Sequence, residues 1–257
     1  MRYGVVSDVH GNLHALETVL AALERAGAER ILCPGDIVGY GPRPNECAAR
    51  LREAGAMAVA GNHDLMAVGR LEARRLGPLV ARTIEWTRSA LDDDARAYLN
   101  ELPERASTGD GIALAHGSLD DPTEYVRDCV SGTVQLTRLR ELEPGAAGLL
   151  LGHTHRPLAC GPDGPLPAHD RLALPDGDPP PRWLLNPGSA GQSRERRPWA
   201  RTMLLDTGAR EATFLTLDYD VNATRAELHA AGLPPHAHHI RPGRWARALR
   251  SLRSRER

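Results

Sequence analysis

The sequence predicts an α/β fold, and three observations carry that expectation. Short apolar runs alternate with segments of helical periodicity through the first part of the chain. Polar, histidine-bearing motifs follow directly on those runs, and the later apolar runs succeed one another with no helical segment between them. Strand alternating with helix indicates βαβ units and a largely parallel sheet. Open α/β sheets bind ligands beyond the carboxyl ends of their strands. Consecutive strands indicate antiparallel additions.

Residues 2–8 read as a buried strand that stops at Ser7-Asp8-Val9-His10-Gly11-Asn12. Leu13, Leu16, Leu20 and Leu23 then recur at helical spacing, and Gly27 is placed as a C-cap. A run at 31–33 leads into Pro34-Gly35-Asp36. A helix over about 45–54 precedes a strand at 56–60, which stops at Gly61-Asn62-His63-Asp64. Residues 78–102 predict two helices, the second opening at Asp92-Asp93-Asp94 with Ala95, Tyr98 and Leu99 inward. Strands at 112–115 and 149–151 end at His116 and at Gly152-His153-Thr154-His155. Residues 160–181 are rich in Pro, Gly and Asp without periodicity, which predicts a surface loop. Strands at 183–185, 202–205 and 213–217 follow, then a helix at 223–231.

Composition sets the limits. With 257 residues, 41% hydrophobic and 25% charged, the chain buries a sizeable core, and its formal charge is −1. Every basic residue is arginine; the absence of lysine excludes Schiff-base chemistry, a P-loop lysine and a lysine base. No apolar run approaches the ~20 residues of a membrane span, and Asp8 and His10 interrupt the only apolar run near the start, so a cytoplasmic protein is expected. Cys33, Cys47, Cys129 and Cys160 form no CxxC pair and are expected as separate thiols.

Five strand ends thus deliver Asp8 with His10, Asp36, Asn62 with His63, His116, and His153 with His155. These are oxygen and imidazole donors without thiolate, a set that suits hard or borderline divalent metals such as Mn, Fe or Zn. The i, i+2 spacing of Asp8/His10 and His153/His155 lets one strand-end loop aim two side chains at one ion. Any one of these histidines alone reads as a polar loop residue. The ordered set does not.

The motifs Asp8-Val9-His10, Gly35-Asp36 with Gly41, Gly61-Asn62-His63-Asp64, Ala115-His116-Gly117 and Gly152-His153-Thr154-His155 resemble, in order, those of calcineurin-like metallophosphoesterases. Gly39-Tyr40-Gly41-Pro42 and Asn186-Pro187-Gly188-Ser189 resemble the small bacterial phosphoesterase branch of that superfamily. The resemblance covers roughly residues 2–235 and implies an α/β, four-layer αββα sandwich of two mixed β-sheets flanked by helices. It implies a phosphodiesterase or phosphomonoesterase whose nucleophile is a metal-bridging hydroxide. Two divalent ions are implied, Mn foremost with Fe, Zn or Ni as alternatives. Asp8, His10, Asp36 and His155 would hold one, and Asp36, Asn62, His116 and His153 the other. His63 would protonate or stabilise the leaving group, and Asp64 would hydrogen-bond that imidazole or serve as a helix N-cap. A non-catalytic scaffold that has lost its ligands is the alternative from another class.

Asn12 and Arg194 are the candidate substrate contacts. Asn12 equally suits an Asx turn orienting the Asp8 loop, and Arg194 a solvated surface position. The Asn186–Ser189 loop would offer backbone amides to the site or simply turn tightly. His14, His169, His229, His236, His238 and His239 read as solvent-facing or flexible. Residues 1–239 are expected as the catalytic domain and 240–257 as a basic tail with seven arginines and one glutamate. The tail is read either as a contact for RNA, DNA or an anionic surface, or as a solvated helix packing Trp245, Leu249 and Leu252. The expected partner is a small phosphoester or a phosphoprotein.

Overall fold

Two sheets run through the computed structural model, which describes residues 1–72, 76–168, 170–177 and 181–242. The chain opens with β1 (Arg2–Val5), α1 (Leu13–Arg25), β2 (Arg30–Cys33), α2 (Pro44–Glu53) and β3 (Met57–Ala58). Next come α3 (Asn62–Val68), α4 (Pro78–Ala90), α5 (Asp93–Glu101), β4 (Arg105–Ser107) and β5 (Ile112–Ala115). They are followed by α6 (Cys129–Leu142), β6 (Gly148–Leu150), β7 (Pro157–Gly161), β8 (Gly164–Pro165) and β9 (Arg171–Ala173). The chain closes on β10 (Trp183–Pro187), β11 (Ala200–Asp206), β12 (Glu211–Leu217) and α7 (Val221–Ala230).

The first sheet has the order β3-β2-β1-β11-β12-β9 and the second β4-β5-β6-β10-β7-β8. Each is mixed. Strands β1, β2 and β3 are parallel, and β11 joins β1 antiparallel. Strands β5, β6 and β10 are likewise parallel, with β4 and β7 antiparallel at their flanks. Strand alternation explains the layers, because successive side chains point to opposite faces. Val5, Leu32, Ile112, Leu114, Leu150, Leu185, Met203 and Phe214 meet between the sheets. Val6 and Cys33 turn the other way, onto Leu16, Leu20, Leu23 and Leu51 of α1 and α2. Ala113 and Leu149 face Leu136 and Leu139 of α6. Helix, sheet, sheet, helix is therefore the order of layers, as the motifs implied.

Expected helices and strands recur with shifted ends. Asp92 caps α5, accepting from Ala95 N at 2.7 Å, and the expected helix at 223–231 starts two residues earlier, under the Asp220 cap. Two expectations fail and one helix was not anticipated. Residues 160–181 are not a plain surface loop, since β7 and β8 form a hairpin there and β9 adds to the far edge of the first sheet. Helix α6 has no counterpart in the sequence reading. The cysteines are not all separate thiols: Cys129 at the start of α6 is bonded to Cys160 in β7, while Cys33 and Cys47 are free and buried. No helix among the described residues is long and apolar enough to cross a membrane. His169 and tail residues 243–257 lie outside the described residues.

Candidate metal centre

The parallel strands of both sheets point their carboxyl ends at one place. The loop after β1 brings Asp8 and His10, the loop after β2 brings Asp36, and the start of α3 after β3 brings Asn62 and His63. From the other sheet, β5 delivers His116, and β6 delivers His153 and His155. Eight described non-glycine residues have positive φ, and Asp8, His10, Asp36, His153 and His155 are five of them, with φ between 51° and 65°. Tyr40 is a sixth, at 56°. Left-handed backbone is costly for residues with a Cβ and persists where the surroundings impose it. Here it recurs at alternate positions, Asp8 with His10 and His153 with His155, in one loop from each sheet.

The ligand atoms are close. Those of Asp8, His10, Asp36 and His155 lie within 4.8 Å of one another, as do those of Asp36, His116 and His153, so Asp36 belongs to both groups. His10 Nε2 and His155 Nε2 are 3.1 Å apart, and Asp36 Oδ2 is 3.5 Å from His10 Nε2 and 3.2 Å from His116 Nε2. His116 Nε2 is also 3.1 Å from the Asn62 amide oxygen, which sets Asn62 beside the second group. All these residues are buried.

Backbone carbonyls fix the rings. His10 Nδ1 faces Val38 O at 3.1 Å, His116 Nδ1 faces Pro34 O at 2.7 Å, and His155 Nδ1 faces Gln192 O at 2.7 Å. A donor proton on each Nδ1 leaves the Nε2 lone pair free for a cation, the usual way an orienting partner sets a ligating imidazole. His153 is reversed: its Nε2 lies 3.1 Å from Thr123 O, which leaves Nδ1 for the cluster.

A cation fits the donor set. Asp8 Oδ2 and Asp36 Oδ2 are buried and have no hydrogen-bond partner, a costly state for carboxylate oxygens. Burial pushes the Asp8 carboxyl up to about 7, against the opposing pull of His116. Burial raises Asp36 as well, but His116, His63 and His10 outweigh it and hold that carboxyl well below its usual range. Burial drives His10 and His155 well below the ordinary imidazole value, so both are neutral donors at pH 7. His116 goes the other way, up to about 9, because Asp36 and Asp8 overcome its burial. Oxygen and imidazole donors gathered around buried carboxylate oxygens that no hydrogen bond satisfies are the chemistry of a divalent metal site.

A family model described as the calcineurin-like phosphoesterase superfamily domain matches residues 1–210. The chain belongs to the calcineurin-like phosphoesterase superfamily. It is a metal-dependent hydrolase of phosphoesters. An uncharacterised protein of Methanocaldococcus jannaschii is 30% identical over 236 residues, covering 90% of this chain and 93% of that one. The phosphodiesterase YfcE of Escherichia coli is 36% identical over 74 residues, 25% of this chain and 40% of its own. The crystal structure of a metallophosphoesterase from Sphaerobacter thermophilus superposes with a TM-score of 0.78 at 34% identity, covering 92% of this chain and 97% of that chain. A hypothetical protein from Pyrococcus horikoshii shares the fold, with a TM-score of 0.73 at 19% identity over 92% of this chain and 95% of its own.

For this phosphoesterase, the remaining expected residues divide. His63 stands at the cluster: its ring packs 4.8 Å from His10 and 4.8 Å from Tyr40. His63 N donates to Asp36 Oδ1 at 2.8 Å, and the buried Nδ1 has no hydrogen-bond partner. The expected bond from Asp64 to His63 is not made. The Asp64 carboxylate instead accepts from Gly61 N, Ile37 N and Val38 N at 2.9, 3.2 and 3.0 Å. It caps the first turn of α3 and ties the Asp36 loop to it. A Cβ at Gly61 would overlap the Asp36 backbone and carboxylate, which is why these two loops can touch only through glycine.

Asn12 is buried and bonded within the chain. Its amide oxygen accepts from Ala15 N at 3.2 Å and from Thr224 Oγ1 at 3.1 Å, and its amide nitrogen donates to Gly191 O at 2.9 Å. It caps α1 and anchors the loop after β10, the orienting role among its expected alternatives. In that loop, Ser189 Oγ donates to Asp8 O at 2.8 Å and Ala190 N to Ser7 O at 2.9 Å, so it braces the Asp8 loop.

Arg194 is not a solvated surface arginine. It is half-buried, donates from Nε to Gln192 Oε1 at 3.3 Å and interacts electrostatically with Tyr40 and Tyr125. Its charge is felt by His10, His63, His153 and His155. Nor is the segment around His238 flexible solvent-facing chain. Ser193 N donates to His238 O at 3.1 Å, Ile240 N to Ser193 O at 2.9 Å, and His238 is buried. The sequence reading missed Tyr40, whose ring lies 4.7 Å from that of His10, and Tyr125, whose ring lies 4.0 Å from that of His153. The Gly39-Tyr40-Gly41 motif held the signal for the first.

Proposed function

We propose that the chain is a dinuclear metal-dependent phosphoesterase, acting on a small phosphomonoester or phosphodiester, with Mn as the foremost candidate metal. The observation that carries the reading is Asp36, whose carboxylate is common to both groups of ligand atoms and whose Oδ2 is buried without a hydrogen bond. Asp8, His10, Asp36 and His155 would hold one ion; Asp36, Asn62, His116 and His153 would hold the other. Bound there, a pair of dications supplies Lewis-acid polarisation of the phosphoryl group and a water of lowered pKa.

The rest is the work of the chain itself. Carbonyls of Val38, Pro34 and Gln192 keep His10, His116 and His155 in one tautomer and orientation. His63, the imidazole at the cluster outside both ligand groups, is neutral because burial lowers its pKa. Its N–H would donate a hydrogen bond to the departing alkoxide. Arg194 contributes fixed positive charge beside the cluster, favouring an anionic substrate.

Chelator-treated protein tests the reading directly. It should be inactive on p-nitrophenyl phosphate and bis(p-nitrophenyl) phosphate and regain turnover with Mn, more than with Mg. Activity that survives chelation, or that no divalent metal restores, contradicts the proposal.

A further inference from the structure

A second cavity, of about 380 Å³, adjoins the cluster and is lined by Tyr125, Arg127, Thr154, Arg156, Pro157 and Arg194. Three of these six residues are arginines and none is acidic. Its size falls within the range of small-molecule pockets. Tyr125 forms the wall it shares with the metal centre, because that ring stacks on His153 at 4.0 Å and 30°. The Arg127 guanidinium also lies over that ring, 4.3 Å from its centroid. Arg194 lines the same pocket from the opposite loop and interacts electrostatically with Tyr125 and Tyr40, and the Tyr40 ring packs on His10 and His63.

That side chain is held rather than waving. Gln192 accepts from Arg194 Nε, and the Gln192 carbonyl faces His155 Nδ1. The segment of His238 and Ile240 pairs with Ser193 from behind. Among the described residues, three guanidinium groups and no carboxylate line this pocket, and it shares a wall with the catalytic cluster, an arrangement suited to an anion carried by the molecule being cleaved. Guanidinium groups prefer phosphoryl oxygens, which match their fork of donors.

We infer that the Tyr125–Arg127–Arg156–Arg194 pocket binds a second phosphoryl group of the substrate, so that the preferred substrates are phosphoesters bearing two phosphates. The inference rests on the phosphoesterase reading above and names its substrate class. The second phosphate stays intact: it is a handle whose binding holds the scissile ester over the metals.

Two matched pairs of substrates test it, with metal-loaded enzyme and phosphate release as the readout. One pair is fructose 1,6-bisphosphate against fructose 6-phosphate, the other adenosine 3′,5′-bisphosphate against adenosine 5′-monophosphate. The bisphosphate should have the higher kcat/KM in at least one pair, by roughly tenfold or more. Arg127→Ala and Arg156→Ala should each reduce that preference, mainly through KM, and the double variant should bring the ratio near one. The pair that shows the effect identifies a sugar or a nucleoside as the carrier. Equal kcat/KM within both pairs, or a preference that survives the double variant, overturns the inference.

Calorimetry keeps this separable from the phosphoesterase reading. Should the enzyme hydrolyse nothing, fructose 1,6-bisphosphate and adenosine 3′,5′-bisphosphate titrated into wild-type protein must still include one that binds more tightly than into the double variant. Equal affinity for both compounds overturns the pocket assignment on its own.

Discussion

The two halves of the metal centre are built from different chemistry. The first sheet supplies both carboxylates, Asp8 and Asp36, with His10, Asn62 and His63, and its three loops are tied together by two backbone bonds, Asp8 N to Gly35 O and His10 N to Asp36 O, and by one from His63 N to the Asp36 side chain at Oδ1. The second sheet supplies imidazoles alone, His116, His153 and His155. Each of these is held by a carbonyl from elsewhere, and His116 and His155 take theirs from loops of the first sheet and from the loop after β10. One half therefore carries the charge, and the other completes the coordination. The centre exists only when the sheets pack, which couples metal binding to folding of the whole domain.

Breaking the charged half should have the largest effect. Asp36→Asn removes the one carboxylate shared by both groups, and both metal content, by elemental analysis, and turnover should fall to background. His116→Ala or His155→Ala breaks the imidazole half and should remove one ion while leaving the other bound at reduced affinity. Loss of both ions from either variant would show that the halves are not separable.

Next in size is His63→Ala. Turnover of p-nitrophenyl phosphate should fall ~10²–10⁴-fold with metal content unchanged, a split that a merely structural role would not produce. Asp64→Asn keeps the shape but weakens the three amide bonds that set the Asp36 loop. A loss of ~10–100-fold in metal affinity is expected, read by competition with a chelator. The smallest effect on activity should come from the far side of the second sheet. Replacing the Cys129–Cys160 link with serines should lower unfolding stability by ~2–4 kcal/mol in denaturant titrations and leave kcat unchanged.

The same contrast explains what could be read from sequence. Asp8, His10, Asp36, Asn62, His116, His153 and His155 were legible because each motif stands directly after an apolar run, and polar residues there have no packing role to obscure them. Helix α6 was not legible: Val130 and Val134 are exposed while Gly132 and Gln135 are buried, which inverts the pattern an amphipathic helix displays. Gln135 earns its burial by accepting from Leu119 N at 2.9 Å, a bond no local pattern announces. Strands β8 and β9 are two and three residues long, too short for a period of two to register. The roles of Asp64 and Arg194 depended on partners 26 or more residues away, and residue type alone could not choose among their alternatives.

The central claim is that two ions sit between the sheets and share Asp36. Chelator-treated protein titrated with Mn, with bound metal and p-nitrophenyl phosphate turnover followed together, tests it most directly. Binding that saturates at two equivalents per chain, with turnover appearing mainly as the second fills, is the predicted result. Full turnover at a single equivalent, or binding that stops at one, would contradict it.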